Sequence, residues 1–223
     1  MSKNHANISI FIPHNGCPHQ CSFCNQKTIT GQTSQPDGND VKSILDNAKK
    51  YTNPNTKTQI AFFGGSFTAV KREYMIELLK AAYPYVKDKT FDSIRISTRP
   101  DAINHEILSI LKEYGVKDIE LGCQSMDNDV LFSNKRGHTQ DDIISASELI
   151  KSYGFSLGLQ MMVGLYKSTP QKDIDTACKI IALKPSSVRI YPTVVMKNTL
   201  LCDLFYEGKY IPYDFDLTVS LCS

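Results

Sequence analysis

At 223 residues the chain is long enough for one sizeable domain with a core of its own. Its 41% hydrophobic and 22% charged residues are ordinary for a globular protein and exclude a low-complexity or fibrous chain. A formal net charge of +2 gives no electrostatic footprint for nucleic acid, and no apolar run is long enough for a membrane-spanning helix.

The N-terminal stretch 1–8 is short and polar, without a secretory apolar core, which predicts a cytoplasmic protein with no membrane partner. Ile8–Pro13 reads as a first buried strand. Beyond it lies Cys17-Pro18-His19-Gln20-Cys21-Ser22-Phe23-Cys24, followed by a polar stretch, Asn25–Asn39, rich in Gly, Thr and Gln. A loop can turn three such thiols toward one point, and soft thiolates select zinc or an iron–sulfur cluster. Structural zinc sites pair a Cys-x2-Cys with a second knuckle, and none follows: Cys123, Cys178, Cys202 and Cys222 are scattered singly. Three ligands on a four-iron cluster would leave one iron open, which marks catalysis rather than scaffolding. The alternatives on the local motif are a zinc site completed by His14 or His19, a disulfide, or unligated thiols.

Periodicity then predicts a helix over Asp40–Tyr51 capped by Asp40, a strand at Gln59–Phe63 and a helix over Lys71–Val86. A third strand, Ser93–Ser97, precedes a helix over Asn104–Tyr114 that Gly115 stops. Asp118–Cys123 is the fourth strand, and Thr139–Tyr153 a helix capped by Thr139. Phe155–Val163 is the fifth strand, and Pro170–Leu183 a helix with Pro in its first turn. Ser187–Tyr191 is the sixth strand, and Thr199–Tyr206 a short helix. Asp214–Cys222 begins another apolar-periodic segment, with Leu217 and Leu221 inward and Val219 a further candidate. The segment stops without a closing signal, so the chain reads as a single domain, 1–223, truncated at its C-terminal end. Strands alternating with helices imply βαβ units and a parallel sheet. A complete eight-fold barrel takes about 250 residues. The fold class is therefore α/β, a partial (βα)6 TIM-type barrel, with a truncated full barrel as the alternative.

The unusual residues fall where strands end, the face on which such sheets bind ligands. Gly64-Gly65-Ser66-Phe67-Thr68 can bring bare backbone and two hydroxyls to a ligand, or make a tight turn. Arg99 and Arg136 are fixed charges suited to a carboxylate, with surface ion pairs as the alternative. Gln124 and Gln160 are amides on apolar strands that must find partners, in a ligand ribose or in the core.

The Cys-x3-Cys-x2-Cys spacing with Phe23 before the last Cys resembles the radical S-adenosylmethionine signature. The resemblance implies a radical SAM core in which Cys17, Cys21 and Cys24 hold a 4Fe-4S cluster. The open iron binds the amino and carboxylate groups of S-adenosylmethionine, and an electron releases a 5′-deoxyadenosyl radical that abstracts hydrogen from substrate. It further implies that Gly64, Gly65, Ser66 and Thr68 serve the amino group and that Arg136 pairs the carboxylate. Phe23 and Met161 are placed to pack on the adenine, with core packing alone as the alternative for Met161. An electron donor such as flavodoxin or ferredoxin is implied as a partner.

Phe63–Thr68, Thr98–Asp101, Glu120–Ser125, Arg136–Thr139 and Tyr191–Thr193 together resemble the Elongator catalytic-subunit branch of that family, across about residues 8–213. This implies a transfer-RNA base as substrate and transfer RNA as partner. A porphyrin, as in the coproporphyrinogen-oxidase-like branch, is the second choice, and a non-catalytic zinc module the rival class. Three features depart from the branch. The 223 residues hold no acetyltransferase domain, Ser97 stands where relatives commonly carry Glu, and Tyr166 stands where they usually carry Pro.

Overall fold

The computed structural model describes residues 4–13, 21–25, 34–53 and 55–223. Six parallel strands, β1 (Asn4–Ile12), β2 (Thr56–Gly64), β3 (Ser93–Thr98), β4 (Val116–Gln124), β5 (Ser156–Val163) and β6 (Ser187–Pro192), lie in sequence order in one sheet. The sheet curls into a half-barrel, its first and last strands unpaired with each other. The helices are α1 (Gly38–Lys49), α2 (Arg72–Lys87), α3 (His105–Glu113), α4 (Asn128–Ser133), α5 (Gln140–Ser152), α6 (Pro170–Ala182), α7 (Leu200–Tyr206) and α8 (Phe215–Cys222). None of the described helices is long and apolar enough to cross a membrane.

Every second strand residue packs under the helices. Ile10 and Ile12, Ile60 and Phe62, Ile94 and Ile96, Ile119 and Leu121, and Leu157 and Leu159 share one core with Leu78, Leu108, Ile143 and Ile150 from the helices. The intervening positions face the concave side and include many polar residues, among them Gln59, Arg95, Ser97, Glu120, Gln124, Gln160 and Arg189, beside apolar ones such as Phe63 and Met162. A parallel sheet buried on both faces reads as continuous apolar runs. Here β4 alternates instead, because its inner face lines an open concavity rather than a second core.

Most predicted elements stand at the predicted places, with shifted ends. Strand β1 starts at Asn4 and β2 at Thr56, ahead of the apolar runs, because a parallel ladder from Asn4↔Thr56 to Ile12↔Gly64 extends both. Helix α1 is capped by Asp37 rather than Asp40. Asp37 Oδ1 accepts from the Asn39 and Asp40 amides, and Asp40 returns a bond to the Asp37 amide, a capping box. Thr139 caps α5 as predicted, again in a box, with Asp142. Helix α4 carries no signal in the sequence: six residues are too few to show a 3.6-residue period, and Asp127 caps it by accepting from the Val130 amide. In α8, capped by Asp214, Leu221 packs on the core while Val219 is exposed.

Candidate functional site

The strand ends meet at one cavity of about 200 Å³. Its base is the turn after β2. Gly65 donates its amide to the Ile12 carbonyl at 2.8 Å, which presses this turn against the end of β1. Gly64 has φ +111°, and a Cβ there would lie 2.6 Å from the Ile12 oxygen, so only glycine fits. Ser66 Oγ, 2.8 Å from Thr98 Oγ1, also accepts from the Arg99 amide.

Across the cavity is the turn Cys21–Asn25, closed by Cys24 donating its amide to the Cys21 carbonyl. Its anchor is Ser22, fully buried with Asn134. Ser22 Oγ donates to Asn134 Oδ1 at 2.6 Å and its amide to the Asn134 carbonyl at 3.1 Å. Asn134 Nδ2 in turn donates to the Val130 and Tyr166 carbonyls, and the Leu201 amide at the start of α7 donates to the Ser22 carbonyl. Two residues after Asn134, Arg136 enters the site. Its Nη1 donates to Cys21 Sγ at 3.0 Å and its Nη2 to the Gly122 carbonyl at 2.6 Å, while its buried Nε has no partner among the described residues. A Cβ on Gly122 would sit 2.9 Å from Gln124 Nε2 and 3.4 Å from Arg136 Nη2, so this glycine makes room for both. Gln124 adopts φ +70°, rare for a residue with a side chain, at the irregularity ending β4. Gln160 Nε2 donates to its Oε1 at 3.3 Å.

Cys21, Phe23, Cys24, Gly64, Gly65, Ser66, Arg99, Gln124, Arg136 and Gln160 thus all line one cavity. Cys17, with His14 and His19, lies outside the described residues. Two of the residues named from the sequence, Thr68 and Met161, are not among the lining of the cavity. Thr68 is turned away from the cavity, its hydroxyl bonded to Thr98 Oγ1 and the Ala102 carbonyl. Met161 is buried under the helices, because it shares its face of β5 with Leu157 and Leu159. Arg99 borders the cavity but its guanidinium is occupied, donating to Asp101 and, at 2.7 Å, to the Arg136 carbonyl. Four further lining residues, Ser97, Thr98, Glu120 and Gly122, stand in the motifs or departures quoted above but have no place in the site on the sequence alone. For Glu120 the signal was a carboxylate amid Ile119, Leu121 and Cys123, all buried. It accepts from Arg95 Nη2 at 2.5 Å and Arg189 Nε at 2.9 Å.

Two titratable groups behind the site are held neutral. Burial pushes the Cys123 thiol up to about 12, so this cysteine, on the helix side of β4, is a core residue. Burial, reinforced by Arg136, pushes the His138 imidazole down to about 4, and its Nε2 lies 3.3 Å from the Cys123 carbonyl.

Residues 11–177 match the family model of the Radical SAM superfamily. The tRNA uridine(34) acetyltransferase of Dehalococcoides mccartyi is 26% identical over 231 residues, covering 88% of this chain and 50% of that protein. An uncharacterized protein of Methanocaldococcus jannaschii is 31% identical over 216 residues, covering 95% of this chain and 63% of its own length. The solved structure of the archaeal Methanocaldococcus infernus Elp3 lacking its N-terminus superposes with a TM-score of 0.76 at 21% identity, covering 99% of this chain and 53% of that one. Coproporphyrinogen III oxidase from Escherichia coli superposes with a TM-score of 0.65 at 17% identity, over 99% of this chain and 51% of that one. The chain spans half or less of the length of the curated acetyltransferases it matches.

Proposed function

We propose, because this chain belongs to the Radical SAM superfamily, that it binds a 4Fe-4S cluster and S-adenosylmethionine and abstracts hydrogen from a transfer-RNA base. When bound, the cluster and S-adenosylmethionine supply the electron and the carbon radical for that abstraction. Cys17, Cys21 and Cys24 would hold the cluster. Arg136 sets a fixed positive charge beside Cys21 Sγ and lines the cavity, where its charge suits a ligand carboxylate. The Gly64–Gly65–Ser66 turn lines the cavity and would meet the ammonium group. Gln124 and Gln160 would take ribose hydroxyls, and Phe23 would pack on the adenine. Thr68 and Arg99 support the site from behind: Thr68 steadies Thr98, and Arg99 holds the Arg136 backbone.

The observation that carries this reading is the convergence of the Cys21–Cys24 turn with residues from the ends of β2, β3, β4 and β5 on one cavity. The transfer-RNA base rests on the names of similar proteins. Anaerobic reconstitution with iron and sulfide tests the core claim. We expect a four-iron cluster, lost in Cys17→Ala, Cys21→Ala and Cys24→Ala, and cleavage of S-adenosylmethionine to 5′-deoxyadenosine on dithionite reduction. Stoichiometric zinc without labile sulfide would overturn it in favour of a zinc module.

A further inference from the structure

Arg136 carries a charge that nothing among the described residues balances. It is 9% exposed, and of the two cations lining the cavity it is the one outside an ion pair, since Arg99 is paired with Asp101. Glu120, the one carboxylate among the described lining residues, is taken up by Arg95 and Arg189. A buried charge without a counter-charge is costly, so its place here calls for an anion. A ligand carboxylate is one such anion, as proposed above. The distances name a second, because the guanidinium is hydrogen-bonded to Cys21 Sγ.

That contact is built into the frame of the site. Nη2 donates to the Gly122 carbonyl at 2.6 Å, and the planar fork then aims Nη1 at Cys21 Sγ, 3.0 Å away. Both ends of the Arg136 backbone are tied. Its amide donates to the Leu131 carbonyl at 3.0 Å, and its carbonyl accepts from Arg99 Nη2 at 2.7 Å. Two residues before it, Asn134 holds Ser22 by two hydrogen bonds, and Cys21 is the residue before Ser22. Sulfur and guanidinium therefore sit on two turns that are bonded to each other. His138 behind the arginine adds no charge near pH 7, its imidazole held down at about 4 by burial and by Arg136 itself.

A four-iron cluster on three thiolates becomes one charge more negative when it accepts an electron. Hydrogen bonds to its sulfurs and the charge nearby set how readily it does so. A cation fixed at a ligand sulfur in a buried site favours the more negative state. We propose that Arg136, acting through Cys21 Sγ, raises the reduction potential of the cluster, independently of any contact it makes with S-adenosylmethionine. The inference rests on the cluster reading above.

The test is the midpoint potential of the reconstituted cluster, from a redox titration followed by EPR without S-adenosylmethionine. We expect Arg136→Gln to lower it, so that the ratio of reduced to oxidised cluster at a fixed potential falls about tenfold or more, which is ~59 mV for one electron. Arg136→Lys, which keeps the charge and loses the fork, should lower it less. A second measurement needs no substitution. The unmodified chain with nitrogen-15 in its arginine side chains should show a nitrogen coupling to the reduced cluster in pulsed EPR. An unchanged potential in Arg136→Gln, or an equal fall in Arg136→Gln and Arg136→Lys, overturns the inference and leaves the cluster reading standing. Absence of the nitrogen coupling overturns it too, and the coupling alone decides if neither variant takes up a cluster. If the unmodified chain forms no iron–sulfur cluster, that reading and this inference fall together.

Discussion

Arg136 joins the two sides of the site through a single side chain, bonded to Cys21 Sγ and to the Gly122 carbonyl. We expect Arg136→Ala to weaken S-adenosylmethionine binding by about 1.5–3 kcal/mol, the value of a hydrogen bond to a charged group. Isothermal titration under argon measures it, and an unchanged affinity would make the arginine a brace for the Cys turn alone. Two residues on, His138 gives the site a pH signature. Burial, with Arg136 beside it, lowers its imidazole to about 4 from an ordinary 6.5; Arg99 works in the same direction and Asp101 against it. The unfolded chain takes up a proton between those values and the folded chain does not, so this contribution to stability is complete above about pH 6.5 and shrinks as pH falls toward 4. The loss is of order 3 kcal/mol over that window. Urea denaturation across it should show a flatter pH dependence in His138→Gln; equal slopes in the two proteins would remove His138 as the cause.

The Cys turn is positioned less by its own residues than by elements far along the chain. Asn134, after α4, bonds Ser22 with its side chain and its carbonyl, and it also holds the Tyr166 carbonyl after β5. The N-terminus of α7 closes the same turn through Leu201. Asn134→Ala would leave the Ser22 hydroxyl and the Tyr166 carbonyl without their partner, at about 1–3 kcal/mol for each buried group stranded. We expect a lower melting temperature and a reduced iron content after reconstitution. Ser22→Ala added to Asn134→Ala should cost little more, because one interaction is lost either way. Strictly additive losses in the double variant would show that the two residues act separately. A similar dependence operates at β5, where Asp173 of α6 accepts from the Gly164 amide and Ser168 Oγ, and Tyr210 donates to the Gly164 carbonyl at 2.7 Å. These bonds tie the chain beyond α7 to the end of the barrel that carries the site.

At the scale of the whole molecule, a half-barrel leaves its concave face open, and among the described residues that face carries many polar side chains where a closed barrel would be filled with apolar ones. If transfer RNA docks there, its affinity should fall as salt rises, through release of counterions from the phosphates neutralised. Binding measured between about 50 and 200 mM salt checks this, and a flat response would argue against phosphate contacts. Much of the architecture was legible before the structure, because strand and helix periods are local and the turn residues Gly64-Gly65, Gly115 and Gly164 punctuate them. The thiol spacing and the clustering of odd residues at strand ends were equally local, so most of the cavity lining could be named from them. Tertiary structure alone decided which way those residues point and what they touch. Thr68 turns to Thr98, Met161 goes under the helices, and Arg99 spends its guanidinium on Asp101 and the Arg136 backbone. The contact between Arg136 and Cys21 joins residues 115 positions apart, and Glu120 gathers arginines from two other strands. No local pattern encodes such pairs, because they exist only once the curl of the sheet brings separate strands onto one concave face.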